Sequence, residues 1–522
     1  MSYLFAGLRG GTMSRLKVLM LGWEFPPHKS GGLGTACHSL TKGLTQNGAE
    51  VTFVMPTAPQ EHEDFVKIIG LKVRKTASPL TPYLTPKQYE QKYASIYSKN
   101  IFQEIKNYTD FAIETAKQEK HDVIHAHDWM TYRAGIEASK ISKKPLIVHL
   151  HSTENDRTAG KPDKKIMQIE KEGLKAADRI ITNSNYSKRN MIKQYKIKSE
   201  KIDVVHWGIE PINLPKKLPK DGNVVLFLGR VTKQKGTDYL IESAKQVIER
   251  IPNTIFIIAG DGDLLPEITQ QARELGILDK MSFVGAVKED EIAKLFQLSD
   301  ICVMPSRSEP FGLVALESMI HGTPVLISKQ SGVKEAVKNT TLINPANTKE
   351  MAHKIVHLLQ NKPLREEIRQ EAYKEALQLG IDKPANKTIK IYEKAGAKFT
   401  VYPKIKNMTA EKQTAKTGPV FFLDGRKIQT LPEMADELEN ISDEQFKEHT
   451  STEKHIADWL ENFDKNLAQD VRKTTNKIDA QRTILKHLVR EVMNYERPKQ
   501  IIEKVGSSEF KRRNASIKGE KK

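Results

Sequence analysis

The stretch Ile301-Cys302-Val303-Met304-Pro305-Ser306-Arg307-Ser308-Glu309-Pro310-Phe311-Gly312-Leu313-Val314-Ala315-Leu316-Glu317-Ser318-Met319 sets the frame for the rest of the chain. Its first four residues are apolar and are closed by a proline, which reads as a strand buried on both faces. Pro310 disfavours helix at Glu309, so that carboxylate belongs on a loop at the sheet edge. Helix restarts from about Gly312. The N–H groups of Gly312, Leu313 and Val314 then lack intrahelical partners and are placed to meet phosphate oxygens. Glu317, one turn further in, is placed to accept hydrogen bonds from vicinal hydroxyls.

The same alternation of apolar strand and helical segment extends in both directions. Around this stretch, strands are expected at residues 224–228, 255–258, 283–284 and 325–327. An earlier set falls at 18–21, 51–54, 123–124, 146–148 and 180–181. The spacers are long enough for crossover helices, which predicts α/β architecture: two doubly wound, Rossmann-like parallel sheets covered on both faces and facing a cleft. Punctuation by Pro, Gly and charge divides the chain further. We expect an N-terminal extension at 1–13, with Met13 as a second candidate start, a first domain at 14–212, and a second at 213–384 after the Pro/Lys-rich stretch 211–220. Residues 351–379 read as helical, and an amphipathic helix follows at 385–398. A polar linker is expected at 399–418, and a small, mainly helical α+β domain at 419–496 that opens with strands flanking Asp424-Gly425, the second at 428–431. The basic tail at 497–522 is either solvated or a contact for an acidic partner.

Composition narrows the function. The 522 residues hold 83 Lys+Arg against 65 Asp+Glu, a formal charge of +18, with 38% hydrophobic residues, which excludes disorder as the main state. No apolar run approaches the roughly 18 residues of a membrane span, and the start lacks a signal core, so a cytoplasmic protein without stable membrane insertion is expected. Cys37 and Cys302 stand alone without ligand partners at zinc spacing. The positive excess suits nucleic acid, anionic lipid or a phosphorylated substrate alike. Acidic residues are interspersed throughout and no recognition motif is present, so no nucleic-acid partner is expected.

Chemistry-bearing residues cluster where strands end. After the first strand comes Lys29-Ser30-Gly31-Gly32-Leu33-Gly34, either a phosphate loop or an ordinary strand–helix turn; its spacing is neither the dinucleotide fingerprint nor a P-loop. Two later strands emit His125-Ala126-His127-Asp128-Trp129 and His149-Leu150-His151-Ser152-Thr153-Glu154. Histidines at i, i+2 on extended backbone also satisfy ordinary packing, and no metal is expected there. Asp128 either caps the next helix or faces a ligand, and His151 is the better candidate for contact with a polar ligand. In the second domain, Gly229-Arg230-Val231-Thr232-Lys233-Gln234-Lys235-Gly236 offers two permanent cations suited to a diphosphate, Arg230 and Lys235, against a solvated basic loop. Gly260-Asp261-Gly262-Asp263 resembles a metal-binding D-x-D but reads as a sheet-end turn.

These motifs together resemble the retaining family-4 glycosyltransferases of the two-Rossmann GT-B type, glycogen and starch synthases in particular. The carriers are Lys29 to Gly34, the His-Ala-His-Asp-Trp run, Gly229-Arg230 with Lys235-Gly236, and Glu309/Glu317 at E-x7-E spacing, spread over most of 14–398. The resemblance implies a nucleotide sugar in the cleft. Arg230 and Lys235 would contact its diphosphate, Glu309 the sugar hydroxyls, Glu317 the ribose, Gly34 with Gly32 the phosphate side, and His151 the sugar 6-hydroxyl, with Asp128 near the reacting sugar. It implies transfer of glucose from UDP- or ADP-glucose to the non-reducing end of an α-1,4-glucan, without cofactor or metal. Residues 152–157 depart from the synthase His-Asn pattern, so a lipid or small-sugar acceptor stands as the alternative, and a catalytically silent glycan-binding or regulatory protein as another. The helix at 385–397 resembles the family's crossover helix, and 419–496 a small module appended to such transferases. Tyr89, Tyr93 and Tyr97, and His455 with Trp459, read either as core or as glycan contacts.

Overall fold

The computed structural model describes residues 16–26, 31–58, 63–73 and 101–399, with short pieces beyond residue 420. Two units divide the chain, residues 1–404 and 405–522. The first unit holds two parallel sheets. One is formed by β1 (Lys17–Leu21), β2 (Glu50–Ala58), β3 (Lys67–Val73), β4 (Val123–His127), β5 (Leu146–Leu150), β6 (Arg179–Thr182) and β7 (Ile202–Val204), in the order β3-β2-β1-β4-β5-β6-β7. Its helices are α1 (Gly32–Gln46), α2 (Ile101–Gln118), α3 (Trp129–Ser142), α4 (Glu154–Arg157), α5 (Lys164–Ala176) and α6 (Asn185–Tyr195).

The second sheet runs β10-β9-β8-β11-β12-β13, from β8 (Asn223–Leu228), β9 (Thr254–Ala259), β10 (Met281–Gly285), β11 (Ile301–Met304), β12 (Val325–Ser328) and β13 (Thr341–Ile343). With it come α7 (Thr237–Arg250), α8 (Leu265–Glu274), α9 (Glu289–Leu298), α10 (Leu313–Ile320), α11 (Thr348–Gln360), α12 (Lys362–Leu377) and α13 (Asp382–Lys394). Both sheets are the doubly wound kind expected. The central strands β4, β5 and β11 are buried at every residue, which is why they read as unbroken apolar runs rather than alternating ones.

Three strands escaped the sequence reading, and all lie at sheet edges. β7 and β13 are three residues long and keep polar or exposed positions such as Asp203 and Leu342, while β3 mixes Lys with apolar residues around Gly70. The single helical segment expected at 351–379 is two helices. Asn361 caps α12 by accepting from the Leu364 N–H, and Pro363 cannot supply the N–H that a continuous helix would need.

α13 leaves the second sheet and packs on the first, where Ala385, Ile389 and Tyr392 share a core with Leu40 and Leu44 of α1. The linker before β8 is pinned by Lys217, whose amine donates to the carbonyls of Phe296 and Ser299 and to the Thr323 hydroxyl at 2.9, 2.8 and 2.7 Å. In the second unit, β14 (Phe421–Leu423) pairs antiparallel with β15 (Arg426–Ile428), so the partner strand starts earlier than the expected 428 because Leu423 faces Arg426 directly. Ile456, Leu460, Ala468 and Val471 are buried there. Residues 1–13, Lys29, Ser30, the three tyrosines at 89, 93 and 97, His455, Trp459, the 399–418 linker apart from its first residue, and the tail lie outside the described residues.

Candidate active site

Strand order places the chemistry. In an open parallel sheet, ligands bind beyond the carboxyl ends of strands where the winding reverses. The first sheet reverses between β1 and β4, which pair directly, and the second between β8 and β11. β1 leads to Gly32 and Gly34 in the first turn of α1, and β4 to His127 and Asp128. β8 leads to Arg230 and Lys235, and β11 to Glu309 and Gly312. Among the described residues, a Cβ on Gly32 would meet nothing within 4 Å.

The second-domain half is tightly drawn together. Lys235 Nζ donates to the buried Glu309 carboxylate at 2.6 Å, and the Ser306 hydroxyl donates to the same oxygen at 3.0 Å. Arg230 joins one step away, donating to Gln234 at 3.1 Å, whose amide donates to the Ser308 carbonyl at 3.1 Å. Gly236 closes the turn at φ 67°, and a Cβ there would stand 2.1 Å from the Pro305 carbonyl, so glycine is required for this turn to touch the end of β11. Gly312 caps α10 at φ 109°, leaving the N–H groups of Leu313 and Val314 in the first turn. Glu317 follows on α10, half-buried. At Asp261 the carboxylate accepts from its neighbour's N–H, that of Gly262, at 2.8 Å, as a sheet-end turn does.

The first-domain half is a stack of buried imidazoles. His125, His127, His149 and His151 lie with ring planes 7–30° apart and centroids 4.1–5.4 Å apart. His127 Nδ1 and His151 Nε2 share a hydrogen bond of 2.9 Å, and His125 Nδ1 meets the Tyr392 hydroxyl at 2.7 Å. Ring nitrogens of His125, His127 and His149 come within 4.8 Å of one another. Burial holds all four rings neutral, His127 down to about 3.

Of the two readings open for Asp128, the structure removes the cap. The residue occupies the N-cap position of α3, yet its side chain caps nothing there; Oδ1 instead accepts the His151 N–H at 2.8 Å. Its backbone sits at φ 57°, ψ 168°, a region that costs a non-glycine residue about 1–3 kcal/mol. Burial raises its pKa to about 7, against the opposing pull of Arg157. The sulfur of Cys37 on α1 lies within 4.8 Å of ring nitrogens of His127 and His151, which puts Gly34, one turn earlier on that helix, on the side of this cluster.

The stack has a measurable signature. A histidine held neutral in the fold but protonated when unfolded contributes stability that is complete above about pH 6.5 and is lost as pH falls, by up to about 1.4 kcal/mol per unit. Asp128 acts oppositely, costing stability above about pH 4 and less below it. Among the described residues, neither ring nitrogen of His149 has a hydrogen-bond partner, so His149→Phe forfeits no bond. Urea unfolding at pH 5, 6 and 7 is expected to show a shallower acid limb for this variant by roughly one histidine's share. Parallel limbs would contradict a neutral His149.

Contacts across the cleft join the halves. His151 packs edge-on to Trp207 at 5.0 Å, and Trp207 faces Phe311, two residues beyond Glu309, at 6.4 Å. The Ser184 hydroxyl donates to the Pro310 carbonyl at 2.6 Å, and Glu335 accepts the N–H groups of Asn185 and Tyr186 at 2.7 and 2.8 Å. Trp207 and this seam were missed from sequence. Their partners are distant along the chain, and the one local signal was an aromatic residue just after the last strand of the first sheet. A hollow of about 330 Å³ lies elsewhere, among Lys175, Arg179, Lys196, Lys198 and Lys201. Lys175 and Lys196 sit at helix C-terminal ends, where the macrodipole favours cations, and this hollow contains none of the site residues.

The geometry has counterparts in known proteins. The family "Glycosyl transferases group 1" matches residues 210–375, and "Glycosyltransferase Family 4" matches residues 30–212. An uncharacterized glycosyltransferase of Methanocaldococcus jannaschii is 30% identical over 399 residues, 72% of this chain and 98% of that protein. A glycogen synthase of Mycobacterium tuberculosis is 27% identical over 345 residues, 62% of this chain and 80% of the relative. A D-inositol 3-phosphate glycosyltransferase of Thermomonospora curvata is 25% identical over 410 residues, 71% and 92% of the two chains. Among solved structures, Anabaena HepE in complex with UDP and glucose superposes with a TM-score of 0.57 at 21% identity, covering 73% of this chain and all of that one, a likeness of fold. No helix among the described residues is long and apolar enough to cross a membrane.

Proposed function

The chain belongs to the glycosyltransferases, and on that premise we propose that it is a retaining enzyme transferring glucose from UDP- or ADP-glucose to the non-reducing end of an α-1,4-glucan. The observation that carries this reading is the Lys235–Glu309 pair beside the first turn of α10, on a loop that meets the His151 side of the cleft. When the diphosphate leaves the anomeric carbon, negative charge grows on it and the sugar becomes oxocarbenium-like. Lys235, Arg230 and the amides of Leu313 and Val314 stabilise that charge more than the ground state, the type of effect worth several kcal/mol.

Glu309 and His151 hold the sugar, Glu317 the ribose, and the departing phosphate takes the acceptor proton on the face it leaves. No carboxylate nucleophile is needed. Side chains and amides meet the phosphate charge, so EDTA is expected to leave the rate within about twofold. The nucleotide-sugar donor is supported by the bound UDP and glucose of HepE, and the glucan acceptor by the glycogen synthase relative.

A second reading, a small phosphorylated polyol as acceptor, is favoured by the inositol-phosphate relative, whose length this chain covers more fully than that of the synthase. Incubating the protein with a panel of nucleotide sugars, alone, with glycogen and with inositol 3-phosphate, and measuring released nucleoside diphosphate separates them. Glycogen-dependent release from UDP- or ADP-glucose supports the first reading. Release that depends on inositol phosphate instead overturns it.

A further inference from the structure

The loop carrying Glu309 is anchored from both domains. From its own side, Arg307 grips Asp238 through two bonds of 2.7 and 2.6 Å and lies 3.9 Å over the Tyr239 ring, while the Gln234 side chain holds the Ser308 carbonyl. From the opposite side, the Ser308 hydroxyl donates to Asp156 Oδ1 at 2.6 Å and accepts from the Tyr186 hydroxyl at 3.0 Å.

Asp156 is itself rigidly placed. Its second oxygen accepts from the N–H and hydroxyl of Thr153 at 3.1 and 2.7 Å, and its own N–H donates back to the Thr153 hydroxyl at 3.1 Å. That reciprocal cap, centred on Thr153 two residues after His151, starts α4. One hydroxyl therefore joins two stiff segments, one ending beside His151 and the other at Glu309.

We propose that Ser308 and Asp156 form a clasp that completes the anchoring of the Glu309 loop when the two Rossmann-like domains are closed, adding an acceptor-side hold to the one that Lys235, Ser306 and Arg307 give from its own domain. The inference rests on the glycosyl-transfer reading. Both are positioning residues, since they act through Glu309. A bond from a hydroxyl to a charged carboxylate adds to the seam that Ser184, Asn185 and Tyr186 make with Pro310 and Glu335, and is strong enough to bias a domain equilibrium. Closure that also completes the site keeps water from a donor that has no acceptor.

The test uses the full chain carrying Ser308→Ala, Asp156→Asn or both. Each single change is expected to lower kcat about tenfold with the donor KM and the UDP Kd changed less than about twofold, and the pair to be no worse than the worse single. Ser308→Thr, which keeps the hydroxyl, is expected to retain most of the rate. Because Asp156 also caps α4, Ser308→Ala is the cleaner arm, and its unfolding midpoint should match the wild type. Nitroxide labels on Lys171→Cys and Glu274→Cys, both exposed and one in each domain, read closure directly, with and without UDP. Ser308→Ala should broaden the interdomain distance distribution relative to the wild type. Unchanged kcat and distances in Ser308→Ala, or losses that multiply in the pair, would overturn the clasp. Should the wild type turn over no nucleotide sugar, the transfer reading fails, while the label distances still decide the clasp.

Discussion

Replacing Lys235 with alanine is expected to lower kcat about 10²- to 10³-fold, the usual cost of removing one preorganised group from a charge that develops in the transition state. The variant should fold, because Lys235 is partly exposed and its removal leaves Glu309 with the Ser306 hydroxyl and a main-chain bridge to Ser331. Glu309→Gln keeps the side-chain volume but loses both the pairing with Lys235 and the carboxylate for the sugar. Arg230→Ala removes the second cation and frees Gln234 from one of its bonds. Steady-state release of nucleoside diphosphate, with circular dichroism as the folding control, checks all three. Near-normal rates throughout would discredit the assignment of this half of the cleft.

Arg157→Ala is expected to cost about 3–5 kcal/mol of stability, among the largest single-residue effects in the first domain. Its guanidinium is almost wholly buried, bonding Glu170 at 2.6 Å and Glu154 at 3.1 Å and donating to the Ser152 carbonyl at 2.5 Å. Glu170 also accepts from the Tyr195 hydroxyl and the Glu154 N–H. Removing the cation leaves two carboxylates facing each other without a counter-charge. Burial already pushes both above the ordinary carboxylate range, and the loss of Arg157 pushes them further. A carboxylate raised in the fold is protonated there while the unfolded form is ionised, so its penalty grows as pH rises above about 4 and shrinks as pH falls. The deficit of Arg157→Ala should therefore be smaller at pH 5 than at pH 7 in urea titrations. A loss under about 1 kcal/mol at pH 7 would show the network to be dispensable.

The parts of the molecule legible from sequence are those governed by neighbours along the chain. Residues 301–319 carry their own grammar of apolar strand, proline-broken loop and glycine-started helix, and the structure repeats it with β11, the Glu309 loop and α10. The same holds for β8 with Arg230 and Lys235, since a strand end and a glycine turn are local events. What was not legible depends on tertiary company. Asp128 was open between capping and ligand contact because its backbone angle is imposed by packing and by the His151 N–H, not by its own residue type. Ser308 and Asp156 lie 152 residues apart, and neither carries a pattern that announces the other. The edge strands β7 and β13 lacked the apolar run because one side of each has no neighbouring strand to bury it.

The central claim is that the amide end of α10, with Lys235 and Arg230, holds a diphosphate whose departure is the reaction. A crystal structure of the chain with UDP tests this most directly. The account predicts the β-phosphate within hydrogen-bonding distance of Lys235 Nζ and the Leu313 or Val314 N–H, with Arg230 on the same diphosphate. A diphosphate seated elsewhere, with Lys235 still bound to Glu309 and the first turn of α10 untouched, would contradict it.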